Sequence, residues 1–221
     1  MDWTLAIKRN RVQLKDIVLG LFTLAKMRVN GSLFTLPRST LAAIMLVLRP
    51  AESAVRRLIV IAAHGLMLQP RPLAGEMPGI AGRREDFPAI RAFKLFDPLK
   101  SFDPESIWDV QPVWESGYGL TASTIVHDTS LDHQPIDATQ IGQRINALMR
   151  ALDNLPAQAR RLIRWQAKRD AALKAHRPTR LSPIRPGLPP GWRERKIHEI
   201  DTVLRECHGL ANDLLNAPNT S

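Results

Sequence analysis

Apolar residues near the N-terminus recur at helical spacing. They predict a helix from Asp2, which is a suitable N-cap, to about Met27. Asn30 and Gly31 are expected to end this helix, because both residues tolerate the left-handed backbone conformation that closes helices. The positions that define its buried face are Ile7, Leu14, Val18, Leu21 and Ala25.

Two further helices are predicted on either side of Pro50. Pro37 stands where a first-turn proline belongs, and it opens a short second helix over residues 38–48 that is apolar nearly all round. A third helix is predicted from Pro50 to about Met67, with His64 near its end. Because proline removes a backbone donor, the chain is expected to break or kink at Pro50 and to form a tight corner.

Helical spacing returns at Asp137, which is predicted to be an N-cap with Gln140 completing a capping box. Pro156 then opens another helix, which extends to about His176. These two helices are expected to form an antiparallel hairpin with one basic outer face. The apolar positions of the first helix are Ile141, Ile145, Leu148, Leu152 and Leu155.

A last helix is predicted from about Trp192 to Asn216, after a proline-rich link over residues 177–190. Its apolar positions repeat like the seam of a coiled coil. The seam could close a C-terminal bundle or pair with a copy of itself in a homo-oligomer. It consists of Ile197, Ile200, Leu204, Cys207, Ala211 and Leu214.

Residues 69–136 lack this periodicity, apart from one short strand predicted over residues 121–126. They nevertheless contain seven of the twelve aromatic residues, which a simple spacer would not need. The segment is therefore expected to wrap over the helices or to bind a partner protein. In the second case the protein would be a scaffold or adaptor that uses residues 87–118 together with the seam of the last helix. The candidate partner-binding residues are Phe93, Phe96, Phe102, Trp108 and Trp114.

The complete pattern predicts a mainly α fold. It divides into an N-terminal helical unit over residues 1–68, the irregular segment over residues 69–136, and a basic helical C-terminal unit over residues 137–221.

Positive charge is concentrated in the C-terminal unit. Residues 137–198 contain fourteen Lys and Arg residues and four Asp and Glu residues, so they account for the whole formal net charge of +10. Such a balance favours a polyanionic partner, which could be nucleic acid, an acidic protein surface or anionic lipid at a membrane surface. The alternative is a solvated basic face that serves solubility alone.

Nucleic acid is the first hypothesis, because basic residues recur one turn apart on the helix that begins at Pro156. This spacing sets their charges at intervals of about 5 to 6 Å. Binding would use phosphates more than bases, although Trp165 could stack on a base. The candidate residues are Arg160, Arg161, Arg164, Trp165, Lys168, Arg177, Arg180, Arg193 and Arg195.

No catalytic motif is found, so neither catalysis nor a cofactor is predicted. Residues 117–122 match the letters of a dinucleotide-binding fingerprint, but they lack the strand before it and the helix after it. The loop histidines His127 and His133 give only a weak metal-binding pattern. Cys207 and His208 point about 100° apart on a helix, so they are poorly placed to act as thiolate and base or to bind one metal. Because Cys207 lies on the apolar seam, it is expected to be a small buried residue.

The chain is expected to be cytoplasmic and to lack a transmembrane helix. Its longest apolar runs, residues 41–48 and 58–68, are too short to span a bilayer, and its N-terminal charges are in the wrong order for a secretory signal. Its single cysteine leaves no internal disulfide. The segment LRPAESAVRRLIVIAAHGL, from Leu48 to Leu66, resembles a run in an uncharacterised family of alphaproteobacterial proteins. The resemblance implies a bacterial cytoplasmic setting and no particular activity.

Overall fold

The computed structural model describes residues 3–29, 31–33, 35–64, 66, 92–98 and 135–216. These residues form five helices and one two-stranded sheet, so the prediction of a mainly α fold is confirmed. The elements are α1 (Trp3–Leu24), β1 (Thr35–Pro37), α2 (Arg38–Ala63), β2 (Pro135–Asp137), α3 (Thr139–Asp153), α4 (Leu155–Lys174) and α5 (Glu199–Asn216).

Several predicted features lie outside the described residues. They are the strand over residues 121–126, the fingerprint-like residues 117–122, the histidines His127 and His133, and the aromatic residues Phe102, Trp108 and Trp114.

Helix α1 ends earlier than Asn30 and Gly31 predict. Lys26 adopts the left-handed conformation with φ 51°. The N–H of Met27 then donates to the carbonyl oxygen of Phe22, and the N–H of Lys26 donates to that of Thr23. This pattern normally places glycine where Lys26 stands, which is why the sequence rule located the end of the helix too late.

Helix α2 continues through Pro50, so the predicted break and tight corner are wrong. Proline leaves the carbonyl oxygen of Leu46 without its helical donor. The guanidinium group of Arg193 donates to this oxygen instead. A contact from a distant part of the chain thus replaces the hydrogen bond that Pro50 removes. His64 follows the last residue of α2, as predicted.

Helix α2 is the centre of the fold and packs against α1, α4 and α5. All residues from 53 to 61 are buried, and the apolar ones among them belong to one apolar core to which every helix contributes. Helix α4 packs mainly against α2, so the contact expected between α3 and α4 in a hairpin is minor. The helices of the N-terminal and C-terminal units therefore share a single core.

The two strands were not predicted, because three residues are too few to show an alternating pattern. They pair antiparallel, with Leu36 opposite Ile136. The sheet joins the start of α2 to the segment that leads into α3.

Helix α3 begins at Thr139, and its N-cap position is Ala138. The predicted capping box of Asp137 and Gln140 is therefore not formed. A carboxylate oxygen of Asp137 instead accepts the backbone N–H of Thr139 at 2.9 Å. Hydrogen bonds from the side chain and the backbone of Thr139 lower the pKa of Asp137.

Helix α5 begins at Glu199 and not at Trp192. The carboxylate of Asp201 explains the start, because it accepts the backbone N–H groups of Ile197 and His198 at 2.9 and 3.1 Å. Four seam residues are buried in the core of the chain itself and are not available for pairing with a second copy: Ile200, Leu204, Cys207 and Ala211.

None of the described helices combines the length and the apolar character that crossing a membrane requires.

Candidate functional site

Helix α4 has an apolar side and a basic side. Ala159, Leu162 and Ile163 are buried, whereas the basic residues of the helix are exposed except for Arg169, which is partly buried. We call Arg160, Arg164 and Lys168 the basic stripe, because each residue lies one turn, or about 6 Å, beyond the one before it. All three are exposed.

The basic stripe keeps its charge available. Arg160 and Arg164 donate to carbonyl oxygens one turn back in α4, at 3.4 and 3.3 Å. No carboxylate in the described part of the chain forms an ion pair with a residue of the stripe. The stripe is therefore a row of solvated cations on a helix whose opposite side is fixed in the core.

Three other candidate arginines lie near or beyond the stripe. Arg161 is exposed, and its Nη1 donates to the carbonyl oxygen of Phe93 at 2.8 Å. Arg177 and Arg195 are exposed, and neither forms an ion pair within the described ranges. Arg177 lies just past the end of α4, and Arg195 lies further along the chain, before α5.

Arg180 and Arg193 serve the fold. Arg180 donates to the carbonyl oxygen of Asp97 at 2.9 Å, and its guanidinium group lies 5.2 Å from the ring centre of Phe96. Arg193 forms an ion pair with Asp201 at 3.1 Å in addition to its bond to α2. Both side chains are engaged inside the molecule, so they contribute little to an outer basic surface.

The aromatic candidates within the described residues pack inward. Phe93 is buried in the core, so it is not part of an exposed partner-binding surface. Phe96 meets Trp165 edge to face, with ring centres 5.0 Å apart. The guanidinium group of Arg169 lies 5.5 Å from the ring centre of Trp165. These contacts make Trp165 part of the packing between α4 and residues 92–98.

The structure also brings together five charged side chains that the sequence did not single out. We call Glu52, Arg56, Arg57, Asp97 and Arg144 the arginine cluster. The Asp97 carboxylate is fully buried between Arg56, at 3.3 Å, and Arg57, at 3.1 Å. The cluster therefore joins α2 to residues 92–98 through charge-assisted hydrogen bonds.

Glu52 joins Arg144 of α3 to Arg56 of α2 in the arginine cluster. Its two carboxylate oxygens accept Nε and Nη2 of Arg144 at 2.8 and 3.0 Å, and one of them also accepts Nη2 of Arg56 at 3.3 Å. Residue Arg57 is completely buried, and removal from water lowers its pKa while the Asp97 carboxylate opposes that shift.

His208 adjoins the cluster on α5. Nε of Arg57 donates to Nδ1 of His208 at 3.3 Å, so Nδ1 carries no proton. Burial, followed by the charge of Arg57, lowers the pKa of His208. Its neighbour Cys207 is fully buried, and burial raises the pKa of the thiol to about 12. The prediction that Cys207 is a small buried residue is confirmed.

A pocket of about 310 Å³ lies beside the arginine cluster. Charged groups of α2 and α3 form one part of its wall, and aromatic rings form another. Its lining consists of Glu52, Arg56, Ala92, Phe93, Lys94, Phe96, Pro98, Gln140, Arg144 and Ala147. Within the described ranges, no group of three His, Cys, Asp or Glu side chains is arranged to hold a metal ion.

The sequence contained one signal for the arginine cluster. Arg56 and Arg57 interrupt an otherwise apolar run over residues 54–63, where at least one of them has to face the core. Their shared partner, Asp97, lies 40 residues beyond Arg57 in the segment without periodicity. Spacing rules do not connect two such positions.

No protein-family model, characterised protein or solved structure matched the chain in the comparisons made with it.

Proposed function

We propose that the protein binds nucleic acid through the basic stripe of α4, without catalysis and mainly through phosphate groups. The observation that carries the proposal is the row formed by Arg160, Arg164 and Lys168, which are exposed and have no described carboxylate partner. Cations of this kind release condensed counterions when they contact phosphates, and this release favours binding.

The charge of the whole helix supports the proposal. Helix α4 contains six Lys and Arg residues and one Asp, and it is about 30 Å long. Because its apolar side is packed against α2, the stripe is held in place before binding. Less backbone freedom is then lost on contact with a rigid polyanion.

The packing of Trp165 favours contacts to phosphates over reading of bases. Its ring already contacts Phe96 and Arg169, and stacking on a base would have to displace one of them. We therefore expect binding with little sequence preference and a strong dependence on salt. The proposal includes a cytoplasmic location, with which the single free cysteine, Cys207, is compatible.

The test is a salt titration of binding to duplex DNA of random sequence. Replacing Arg160, Arg164 and Lys168 together by Gln removes three phosphate contacts and is expected to reduce the slope of log affinity against log salt by about 2 to 3. The matched control replaces Lys8, Arg28 and Arg49 by Gln. These three exposed residues lie outside α4 and carry the same total charge.

The control variant is expected to keep the slope of the unmodified protein. Equal losses in both triple variants would mean that net charge alone attracts DNA, and the stripe would no longer be the site. Absence of DNA binding at about 50 mM salt, where phosphate contacts are strong, would refute the proposal. Binding to anionic vesicles but not to DNA would assign the same cations to a membrane surface.

A further inference from the structure

The arginine cluster has more positive than negative charge. Three guanidinium groups, on Arg56, Arg57 and Arg144, share the carboxylates of Glu52 and Asp97 among the described residues. The side chains of Arg56 and Arg57 are 5% and 0% exposed, so water screens this excess poorly. A buried charge without a counterion is costly, and such a site favours an anion.

The excess charge faces the pocket. Arg56 and Arg144 both line it, and so does Lys94, which is exposed and forms no ion pair within the described ranges. Among the described residues, Nη1 of Arg144 donates to the weakly accepting Sδ of Met45, at 3.6 Å. Of the five N–H groups on a guanidinium, described acceptors take three on Arg56 and three on Arg144, so both side chains keep N–H groups for a further acceptor.

The rest of the pocket is suited to an apolar body. Phe93 and Phe96 line it with aromatic rings, and Ala147 leaves room between α3 and these rings. The volume of about 310 Å³ is in the range of small-molecule sites. Gln140 adds one neutral side chain that can both donate and accept.

We propose that this pocket binds a small organic carboxylate, with the carboxylate at Arg56 and Arg144 and the apolar part against Phe93 and Phe96. The N–H groups of Arg56 and Arg144 that the described acceptors leave free can each donate a charge-assisted hydrogen bond to a carboxylate oxygen. One negative charge matches the excess of one guanidinium in the arginine cluster. The site is separate from the basic stripe and is independent of nucleic-acid binding.

Benzoate is a suitable probe, because it combines a carboxylate with an aromatic ring, and benzamide is its neutral isostere. Binding to the full chain is followed through the NMR signals of the arginine Nε–H groups. Saturable binding of benzoate is expected to shift the signal of Arg144. Benzamide is expected to bind at least about tenfold more weakly than benzoate.

Three variants locate the site. Arg144→Gln removes a partly exposed donor, and Ala147→Leu fills the pocket without changing its charge. Each is expected to weaken benzoate binding by about tenfold or more, the first through a lost charged hydrogen bond and the second through lost volume. Arg164→Gln removes the same charge from the basic stripe and is expected to leave the affinity for benzoate unchanged.

Several results would overturn the proposal. Equal binding of benzamide would show that the pocket does not select an anion. Benzoate binding that survives Ala147→Leu, or that is lost in Arg164→Gln, would place the anion elsewhere. Lack of saturation up to about 20 mM benzoate would show that no site of useful affinity exists.

Discussion

The guanidinium group of Arg193 donates a hydrogen bond to the carbonyl oxygen of Leu46, the acceptor that Pro50 leaves without a donor inside α2. A second hydrogen bond joins the same two segments: the hydroxyl of Ser53 donates to the carbonyl oxygen of Pro190 at 2.7 Å. Residues 189–193 therefore form a patch over the proline in the central helix. Because the patch supplies the missing donor, α2 remains one helix and can serve as the centre of the core.

This relationship predicts different roles for two neighbouring arginines. Arg193→Ala removes the bond to Leu46 and the ion pair with buried Asp201, so we expect a loss of about 2 to 4 kcal/mol in the free energy of unfolding. Arg195→Ala, at an exposed position, is expected to change it by less than about 0.5 kcal/mol. Urea denaturation of both variants measures the difference, and equal stabilities would contradict the structural role of Arg193.

Two glycines near the patch form a second matched pair. Gly187 and Gly191 have φ of 79° and 81°, so alanine is strained at both positions. A Cβ atom at Gly191 would lie 2.7 Å from the backbone nitrogen of Pro50, whereas nothing lies within 4 Å of one at Gly187. We expect Gly187→Ala to cost about 1 to 2 kcal/mol from backbone strain and Gly191→Ala about 1 to 3 kcal/mol more from the steric clash. Thermal unfolding of the two proteins tests this, and a smaller effect at Gly191 would show that residues 189–193 do not pack tightly on α2.

Apolar periodicity located the helices well where the local signal and the tertiary packing agree. The prediction for α4 is accurate because the buried positions 159, 162 and 163 repeat on one side and Pro156 marks the start. At Pro50 the local rule failed, because Arg193 supplies the missing donor from far along the chain. The start of α5 was predicted too early, at Trp192. The helix begins at Glu199, because Asp201 accepts the backbone N–H groups just before it.

The charged sites also differ in whether a local sequence pattern or a distant contact determines them. Exposure of the basic stripe follows from the helical pattern, because Arg160, Arg164 and Lys168 fall away from the apolar side of α4. The arginine cluster does not follow from the sequence, since a pattern rule assigns charged residues to the surface. Burial of Arg57 depends on Asp97, whose position is fixed only by the three-dimensional fold.

The ion pair between Arg57 and Asp97 is expected to be important for stability once the fold has formed. Asp97→Ala leaves Arg57 buried without its carboxylate, so we expect a loss of about 3 to 5 kcal/mol in the free energy of unfolding. The control, Asp170→Ala, breaks an ion pair with Arg169 in which the Asp170 side chain is 55% exposed, and it should cost less than about 1 kcal/mol.

A double variant separates the burial of charge from packing. Replacing Arg57 by Met together with Asp97→Ala removes a buried cation along with its partner, so its cost should be smaller than the sum of the two single effects. Additive effects would show that the two residues do not depend on each other. Guanidinium chloride denaturation of the four proteins measures the coupling.

The contact between Arg57 and His208 predicts that stability depends on pH. Burial and the charge of Arg57 lower the pKa of His208 in the folded protein, below the ordinary value of 6.5 that applies to the unfolded chain. Between these two pKa values the unfolded chain binds more protons than the folded protein. The contribution of neutral His208 is therefore present above pH 6.5 and is lost as the pH falls from there to the lowered pKa.

We expect the stability difference between the unmodified protein and His208→Gln to shrink across this range, as measured by urea denaturation between about pH 5 and 7.5. The matched control is His64→Gln, which replaces an exposed histidine at the end of α2 and separates the effect of His208 from the loss of any histidine. Parallel curves for the unmodified protein and His208→Gln would mean that protonation of His208 does not compete with its hydrogen bond from Arg57.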